Sequence, residues 1–245
     1  MPTIYLSPSL QEFNKYITGK NEQYYMNQLA DAMEPYLRSN GIQFVRNRAT
    51  QSLYQVIQQS NSGEFDLHVA LHSNAAPSGY KGRIRGSEIY YYRYSAKGQR
   101  AADIFTTNFK KIYPRASLVK SVQSSELAEL AQVKATSVLI EVAYHDNWQD
   151  AKWIINNMDS LAQNITESIT LYFGLPFVNI HPVQSGTVSA SQTGINLRLR
   201  PELNAPPIAT VPNEAAIQIL GQWNDWYVVD YRGIIGYTST KDILV

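Results

Sequence analysis

The sequence has no cysteine among its 245 residues, so disulfide bonds and thiolate chemistry are excluded. A membrane-spanning helix needs about 18 consecutive apolar residues, and no apolar run in this sequence approaches that length, so we predict no membrane span. No signal peptide is visible, because the segment from Met1 to Leu6 enters a strand pattern at once. Either export uses another route, or the protein acts from inside, or a leader has been removed.

The sequence also has almost no excess of one charge over the other, because its formal net charge is only +1. Charged residues make up 17% of the chain. No overall field attracts nucleic acid or an anionic membrane surface, so neither is expected as a partner. Hydrophobic residues make up 44%, as in an ordinary folded globular protein. Tyrosine is abundant, with 17 copies. It suits a polar ligand groove as well as ordinary sheet positions, and the composition leaves both open.

Apolar runs of strand length alternate with segments of helical periodicity as far as residue 175. This alternation is typical of an α/β domain, so we predict a mainly parallel sheet flanked by helices. The predicted strands are residues 4–6, 42–45, 66–71, 87–94, 118–122 and 137–142. The predicted helices are residues 22–37, a short helix from residue 53 to near residues 61–63, 101–112 and 153–173, with a helical turn at 125–130.

Two chemically competent side chains lie at the ends of predicted buried strands. His72 directly follows the run 66–71, and Glu141 lies near the end of the run 137–142. In parallel sheets ligands bind outside the carboxyl ends of the strands. The sequence therefore predicts a site where His72 and Glu141 meet.

The pattern changes after Pro176. Residues 176–186 carry proline, glycine and polar residues without periodicity and are predicted to form a linker. Residues 187–245 contain only short strands separated by tight turns, which predicts a small all-β barrel. The expected organisation is thus a domain at 1–175, a linker at 176–186 and a second domain at 187–245.

Three ordered motifs in this C-terminal part resemble the bacterial SH3 family. They run from Gly194 to Pro201, from Trp226 to Val229 and from Gly233 to Thr238. The resemblance implies an SH3-like barrel that binds cell-wall peptide or assists an attached enzyme. A spacer without a ligand is the alternative.

Residues 66–75 and 138–147 together resemble the zinc-dependent N-acetylmuramoyl-L-alanine amidases, and so do residues 85–91 and the helix that opens at Glu22. The resemblance implies an enzyme that cleaves peptidoglycan between N-acetylmuramic acid and L-alanine. In that family two histidines and one glutamate bind one zinc ion, and a separate glutamate is catalytic. Here Glu22 and His72 match zinc ligands, and Glu141 matches the catalytic glutamate.

Two further residues are candidates for substrate binding. Asn74 lies in the same matching block as His72, and Arg85 opens the matching segment 85–91. Arg85 is suited to peptide-stem carboxylates, although a solvated basic loop is the alternative.

The sequence departs from the family at its first zinc ligand. The family has a histidine in an Asp-x-Gly-His-Gly-Gly turn after the first strand, where this chain has Leu6-Ser7-Pro8-Ser9-Leu10-Gln11. We predict His145 as the replacement ligand, provided that the chain turns after Val142 or Ala143. Gln11 is the nearest polar alternative but a weak zinc ligand. Otherwise His145 only forms hydrogen bonds in its loop and the site is empty.

The same residues allow structural interpretations. His72 alone would suit a hydrogen-bonded core position, and Glu22 would complement a helix dipole. A carboxylate at Glu141 in a buried strand is unfavourable unless it is paired or near a metal. His68 is predicted to be a core histidine or to support the site from behind, and His181 in the linker to have no specific role.

Three functions therefore compete. The first is an active zinc amidase that acts on peptidoglycan, with the SH3-like domain as a wall anchor. The second is a catalytically inactive relative that binds wall fragments or a protein partner. The third is a structural or regulatory component of a spore or phage. The expected location is extracellular or in the cell wall of a Gram-positive-type bacterium, or the protein is phage-encoded.

Overall fold

The computed structural model describes residues 1–190 and 194–245, so residues 191–193 of the predicted SH3-like domain lie outside the described part. The described chain forms two compact units. One contains Thr3–Met33 and Phe44–Tyr172, and the other contains Met1–Pro2, Glu34–Gln43 and Phe173–Val245. No helix in residues 1–190 and 194–245 is both long and apolar enough to cross a membrane.

Helices and strands alternate in the first part of the chain, as the sequence predicts. The helices are α1 (Glu22–Ser39), α2 (Leu53–Ser62), α3 (Ala96–Ile112), α4 (Ala128–Ala131), α5 (Trp148–Asn156) and α6 (Met158–Phe173). The strands are β1 (Thr3–Pro8), β2 (Gln43–Arg46), β3 (Leu67–Asn74), β4 (Ser87–Tyr92), β5 (Val119–Ser124) and β6 (Ser137–Tyr144).

These six strands form one sheet in the order β2-β1-β3-β6-β4-β5. β1 pairs with β3, β3 with β6 and β4 with β5 in parallel, while β4 and β6 are antiparallel. The prediction of a mainly parallel sheet flanked by helices is confirmed. β3 and β6 are the central strands and are almost continuously buried, as expected for strands covered on both faces.

The last predicted helix is wrong in one respect, because the structure divides residues 153–173 between α5 and α6. Asn147 caps α5 by accepting hydrogen bonds from the backbone N–H groups of Gln149 and Asp150, so α5 begins before residue 153. Asn157 then leaves the helical conformation with φ −126° and ψ 26°, which ends α5 before α6 starts. Neither α5 nor α6 carries a candidate site residue.

The remaining strands form an antiparallel sheet in the order β13-β7-β10-β11-β12-β8-β9. They are β7 (Gln184–Val188), β8 (Ile195–Arg198), β9 (Pro207–Val211), β10 (Ala216–Trp223), β11 (Trp226–Tyr231), β12 (Ile234–Ser239) and β13 (Ile243–Leu244). Alternating inward side chains build its core, which includes Val188, Leu197, Ile219 and Val229. The sheet agrees with the predicted small all-β domain.

The segment predicted as a linker is partly structured. β7 begins at Gln184, inside the predicted range 176–186, and Val178 is buried. The side chain of Asn40 donates to the Val178 carbonyl at 2.7 Å and accepts from the Val178 N–H at 2.6 Å. The domain boundaries at 175 and 187 stay a prediction.

Candidate active site

The strand register brings three titratable side chains into one row at the edge of the first sheet. His72 on β3 is the neighbour of Glu141 on β6, and Glu141 is the neighbour of Glu88 on β4. Residues paired in this way point to the same face of a sheet. The structure thus brings together His72 and Glu141, as the sequence predicts.

Glu22 joins this row from the start of α1. Its carboxylate is buried, and Oε1 accepts a hydrogen bond from Nδ1 of His72 at 2.9 Å. The other oxygen, Oε2, accepts from the Asn14 amide at 2.7 Å. The loop before α1 folds back so that the Glu22 N–H donates to the Asn14 carbonyl at 2.9 Å. Glu22 and His72, which both match zinc ligands of the amidase family, are therefore in direct contact.

Gln11, in the turn after β1, also reaches His72. Its Nε2 atom lies 3.3 Å from Nδ1 of His72. Its Oε1 atom accepts from the Asn14 amide at 2.6 Å, so Asn14 bridges Gln11 and Glu22. The turn after β1, which lacks the histidine of the family, therefore still supplies one polar side chain to the Nδ1 side of His72.

A second carboxylate, Glu129 on α4, contacts the opposite side of the His72 ring. Its Oε2 atom lies 3.3 Å from Nε2 of His72, and its Oε1 atom lies 3.1 Å from Nε2 of His68. The Ser7 hydroxyl also donates to Oε1. Sequence reasoning missed Glu129, because the predicted helical turn at 125–130 contains nothing that links it to His72.

The opposite charges in this cluster stabilise one another's ionised forms. Burial by itself would lower the pKa of His72, but its hydrogen bonds to Glu129 and Glu22 outweigh burial and raise the pKa well above its usual value. Burial would likewise raise the pKa of each carboxylate, yet the hydrogen bonds from His72 lower the pKa of Glu22, and those from His68 and His72 lower the pKa of Glu129. The result is a buried imidazolium between two carboxylates.

Glu141 behaves in the opposite way. Burial raises its pKa to about 8, helped by the negative charges of Glu22 and Glu88 and opposed by His72. Its Oε2 atom is buried and has no hydrogen-bond partner among the described residues. Glu141 is therefore a protonated carboxyl group near neutral pH, next to ionised neighbours.

The two candidate substrate-binding residues have different surroundings. Asn74 lies at the end of β3 and donates to Oε2 of Glu88 at 3.0 Å, so it borders the row of titratable groups. Arg85 donates to the buried Asp150 at 2.8 Å and also contacts Gln149. The structure thus places Asn74 at the site and engages Arg85 in an ion pair with α5.

His145, the predicted replacement ligand, follows β6 directly. Its Nδ1 atom lies 2.8 Å from the Ser73 carbonyl oxygen and 3.1 Å from the Ser73 hydroxyl, and its ring stacks on Tyr16. Throughout the described ranges, no group of three or more His, Cys, Asp or Glu side chains is arranged to hold a metal ion. The structure therefore does not bring His145 together with Glu22 and His72.

A cavity of about 500 Å³ opens beside this cluster. Some of its polar lining belongs to the cluster itself, and most of its other lining residues are apolar. The polar lining includes Ser7, Gln11, His72 and Glu129, and the apolar lining includes Leu10, Phe13, Leu53, Val56, Leu127 and Leu139. The cluster is accordingly open to a ligand on the side of the cavity.

Comparison with protein families gives two matches that follow the two parts of the chain. The N-acetylmuramoyl-L-alanine amidase family matches residues 12–171, a range that includes Glu22, His72 and Glu141. The bacterial SH3 domain family matches residues 193–243. A search of curated proteins found no match.

Solved structures of amidases share the fold of the first part. N-acetylmuramoyl-L-alanine amidase AmiC2 of Nostoc punctiforme is 16% identical, with 71% of this chain and 97% of that chain covered and a TM-score of 0.62. The N-acetylmuramoyl-L-alanine amidase from Clostridium difficile 630 is 19% identical, with 71% and 97% covered and a TM-score of 0.63. The catalytic domain of the CD27L endolysin, which targets Clostridia difficile, is 22% identical, with 70% and 98% covered and a TM-score of 0.58.

The amidase match spans more than half of the chain and contains the row of titratable residues at the sheet edge. The chain therefore belongs to the N-acetylmuramoyl-L-alanine amidase family and carries a bacterial SH3 domain after its amidase domain.

Proposed function

We propose that this protein hydrolyses the amide bond between N-acetylmuramic acid and L-alanine in peptidoglycan, with the assistance of one zinc ion. The observation that carries the proposal is the protonated Glu141 next to the paired Glu22 and His72. Titratable groups whose environments push their pKa values apart are typical of acid–base sites. Membership of the amidase family supports the choice of bond.

Glu22 and His72 are the two groups here that could share a cation, because a Glu22 oxygen lies 2.9 Å from Nδ1 of His72. The Gln11 atom at 3.3 Å from Nδ1 is the amide nitrogen, which does not bind a cation. Behind the ring, Nε2 contacts a carboxylate, as metal-bound histidines usually do. Glu22 and His72 would hold the zinc ion once the Nδ1 proton of His72 had been released to solvent, and Gln11 would turn its amide oxygen toward the ion as the third donor. A zinc ion there would polarise the amide carbonyl and lower the pKa of a bound water.

The chain's own groups account for the proton transfers. Glu141, once ionised, would accept the proton of the attacking water as general base and then donate it to the departing amine of L-alanine. In the protein without metal, burial raises the pKa of Glu141 to about 8. The positive charge of a zinc ion nearby would lower this pKa and favour the ionised form that acts as base. The Asn74 amide, fixed by Glu88 at 3.0 Å, would orient the substrate at the sheet edge.

We further propose that the SH3-like domain holds the enzyme on cell-wall peptide. It has a cavity of about 250 Å³ lined by Asn196, Trp226, Thr238 and Asp242 among others. An aromatic ring with an acid and amides is suited to the amine and backbone groups of a short peptide. The site of action would then be the wall of a Gram-positive-type bacterium, reached from the cell or from a phage.

One observation favours the second candidate, an inactive relative that binds wall fragments or a protein partner. Gln11 is a weaker zinc ligand than the histidine of the family, so the donor set is poorer in nitrogen. Zinc binding and product analysis distinguish the two functions.

Product release tests the reaction. Purified wall fragments treated with the protein should gain free amino-terminal alanine, detected by mass spectrometry after labelling of new amines. Glu141→Gln should lower this rate by about 10²–10⁴-fold, because it removes the base but keeps the shape. Glu126→Gln, which changes an exposed glutamate on the same unit, should leave it unchanged. Equal rates for Glu141→Gln and wild type would remove Glu141 from its assigned role.

Stability of the chelator-treated protein should depend on pH through Glu141. Below pH 4.5 this carboxyl is protonated in both the folded and the unfolded chain, so it does not make stability depend on pH. Between pH 4.5 and about pH 8 the unfolded chain releases the proton while the folded chain keeps it, so stability falls as pH rises. The contribution is about 1.4 kcal/mol per pH unit. Urea unfolding at several pH values should show that Glu141→Gln loses this slope, and an unchanged slope would contradict the raised pKa.

Zinc affinity decides which residue completes the donor set. Competition with a chromophoric chelator should show weaker binding for Gln11→Ala and unchanged binding for His145→Ala, because the His145 ring is engaged by Ser73. The opposite pattern would restore His145 as the third ligand. A wild-type protein that binds no zinc at saturating metal would favour the inactive relative.

A further inference from the structure

Glu129 is a buried acid that the reaction described above does not use. Its exposed fraction is 7%, and it lies on α4, a helix of four residues in the connection between β5 and β6. Its side chain reaches back to β3, the strand that carries His72. An unpaired carboxylate in such a place would be strongly unfavourable, so its partners determine whether it is ionised.

Three groups surround the Glu129 carboxylate at hydrogen-bond distance. The Ser7 hydroxyl donates to Oε1, Nε2 of His68 lies 3.1 Å from Oε1, and Nε2 of His72 lies 3.3 Å from Oε2. A carboxylate oxygen accepts from a ring N–H at each of the two histidine positions. On the far side of its ring, Nδ1 of His68 lies 2.9 Å from the Ser60 hydroxyl. A continuous chain of hydrogen bonds therefore runs from Ser60 through His68 and Glu129 to His72.

The position of the two histidines on β3 allows one carboxylate to contact both rings. His68 and His72 are four residues apart on β3, so their side chains share a face at a spacing of about 13 Å along the strand. Glu129 enters between the two rings and contacts each of them with a different oxygen. Oε1 is thus held by His68 and Ser7, while Oε2 is the acceptor for Nε2 of His72.

We propose that Glu129 is a positioning residue that holds the His72 ring by Nε2 and so directs Nδ1 toward Glu22 and Gln11. Without it, Nε2 of His72 would lose its acceptor in this buried cluster, and rotation of the ring would move Nδ1 away from Glu22. Outer carboxylates of this kind typically change metal affinity by about 10–100-fold when they are replaced. Only this effect on zinc rests on the proposed function, because the hold on the ring concerns the protein without metal.

The direct test observes the ring proton on Nε2 of His72 in the chelator-treated protein. The chain has four histidines, so nitrogen-15 NMR of the imidazole groups resolves them, and a His72→Gln variant assigns the signal. We expect slow exchange of this proton with solvent in wild type and in the control Glu126→Gln. In Glu129→Gln we expect the proton signal to be lost by exchange, because the amide oxygen would face the two donors Ser7 and His68 and leave the NH2 group, which cannot accept, toward His72.

Zinc affinity of the same variants gives the second measurement. Glu129→Gln should bind zinc about 10–100-fold more weakly than Glu126→Gln, at a temperature where thermal unfolding shows both to be folded. Ser7→Ala, which removes one group that holds the Glu129 carboxylate, should shift both measurements in the same direction by less. It keeps the test valid if Glu129→Gln does not fold.

The outcomes separate this inference from the proposed function. A Glu129→Gln protein of lower melting temperature with an unchanged Nε2 proton and zinc affinity would show a purely structural role and overturn the inference. So would an unchanged Ser7→Ala protein when Glu129→Gln is unfolded. A protected Nε2 proton in a wild type that binds no zinc would support the positioning role and contradict the zinc site.

Discussion

The candidate site depends on one interaction, the hydrogen bonding of a buried imidazolium by two carboxylates. His72 is shared between Glu22 at 2.9 Å and Glu129 at 3.3 Å, and each partner is itself buried. Burial would destabilise any one of these charges alone, but together they keep one another ionised. The arrangement requires three elements, α1, β3 and α4, to meet at one ring, so it links the fold directly to the chemistry.

The same arrangement explains why Glu141 differs from its neighbours. It lies beside His72 in the sheet register, but burial and the nearby negative charges of Glu22 and Glu88 disfavour its ionised form. Its buried Oε2 atom has no hydrogen-bond partner among the described residues. A paired imidazolium and a neutral acid with one buried oxygen lacking a partner among the described residues thus occupy adjacent strands. This contrast is what makes an acid–base reaction at the sheet edge reasonable.

The sequence predicts the local parts of this site and misses the parts that come from tertiary contacts. Strand periodicity places His72 and Glu141 at one sheet edge, and the parallel pairing of β3 and β6 confirms this placement. Glu129 could not be found in this way, because it is 57 residues from His72 in sequence and no local pattern connects the two. The residue that replaces the missing histidine could not be predicted either, because the choice depends on where side chains point after a strand ends. His145 contacts Ser73, whereas Gln11 contacts His72. The start of α5 is set by the Asn147 cap, and the boundary between α5 and α6 by the conformation of Asn157, neither of which helical periodicity reports.

The central claim is that His72 presents Nδ1 to zinc while Glu129 holds Nε2. A crystal structure of the zinc-soaked protein, with data recorded on both sides of the zinc absorption edge, tests it most directly. The account predicts an anomalous peak about 2.0–2.1 Å from Nδ1 of His72, next to Glu22 and Gln11, with the contact between Nε2 and Glu129 retained. A peak at His145, a peak on the Nε2 side of His72 or no peak at saturating zinc would contradict it.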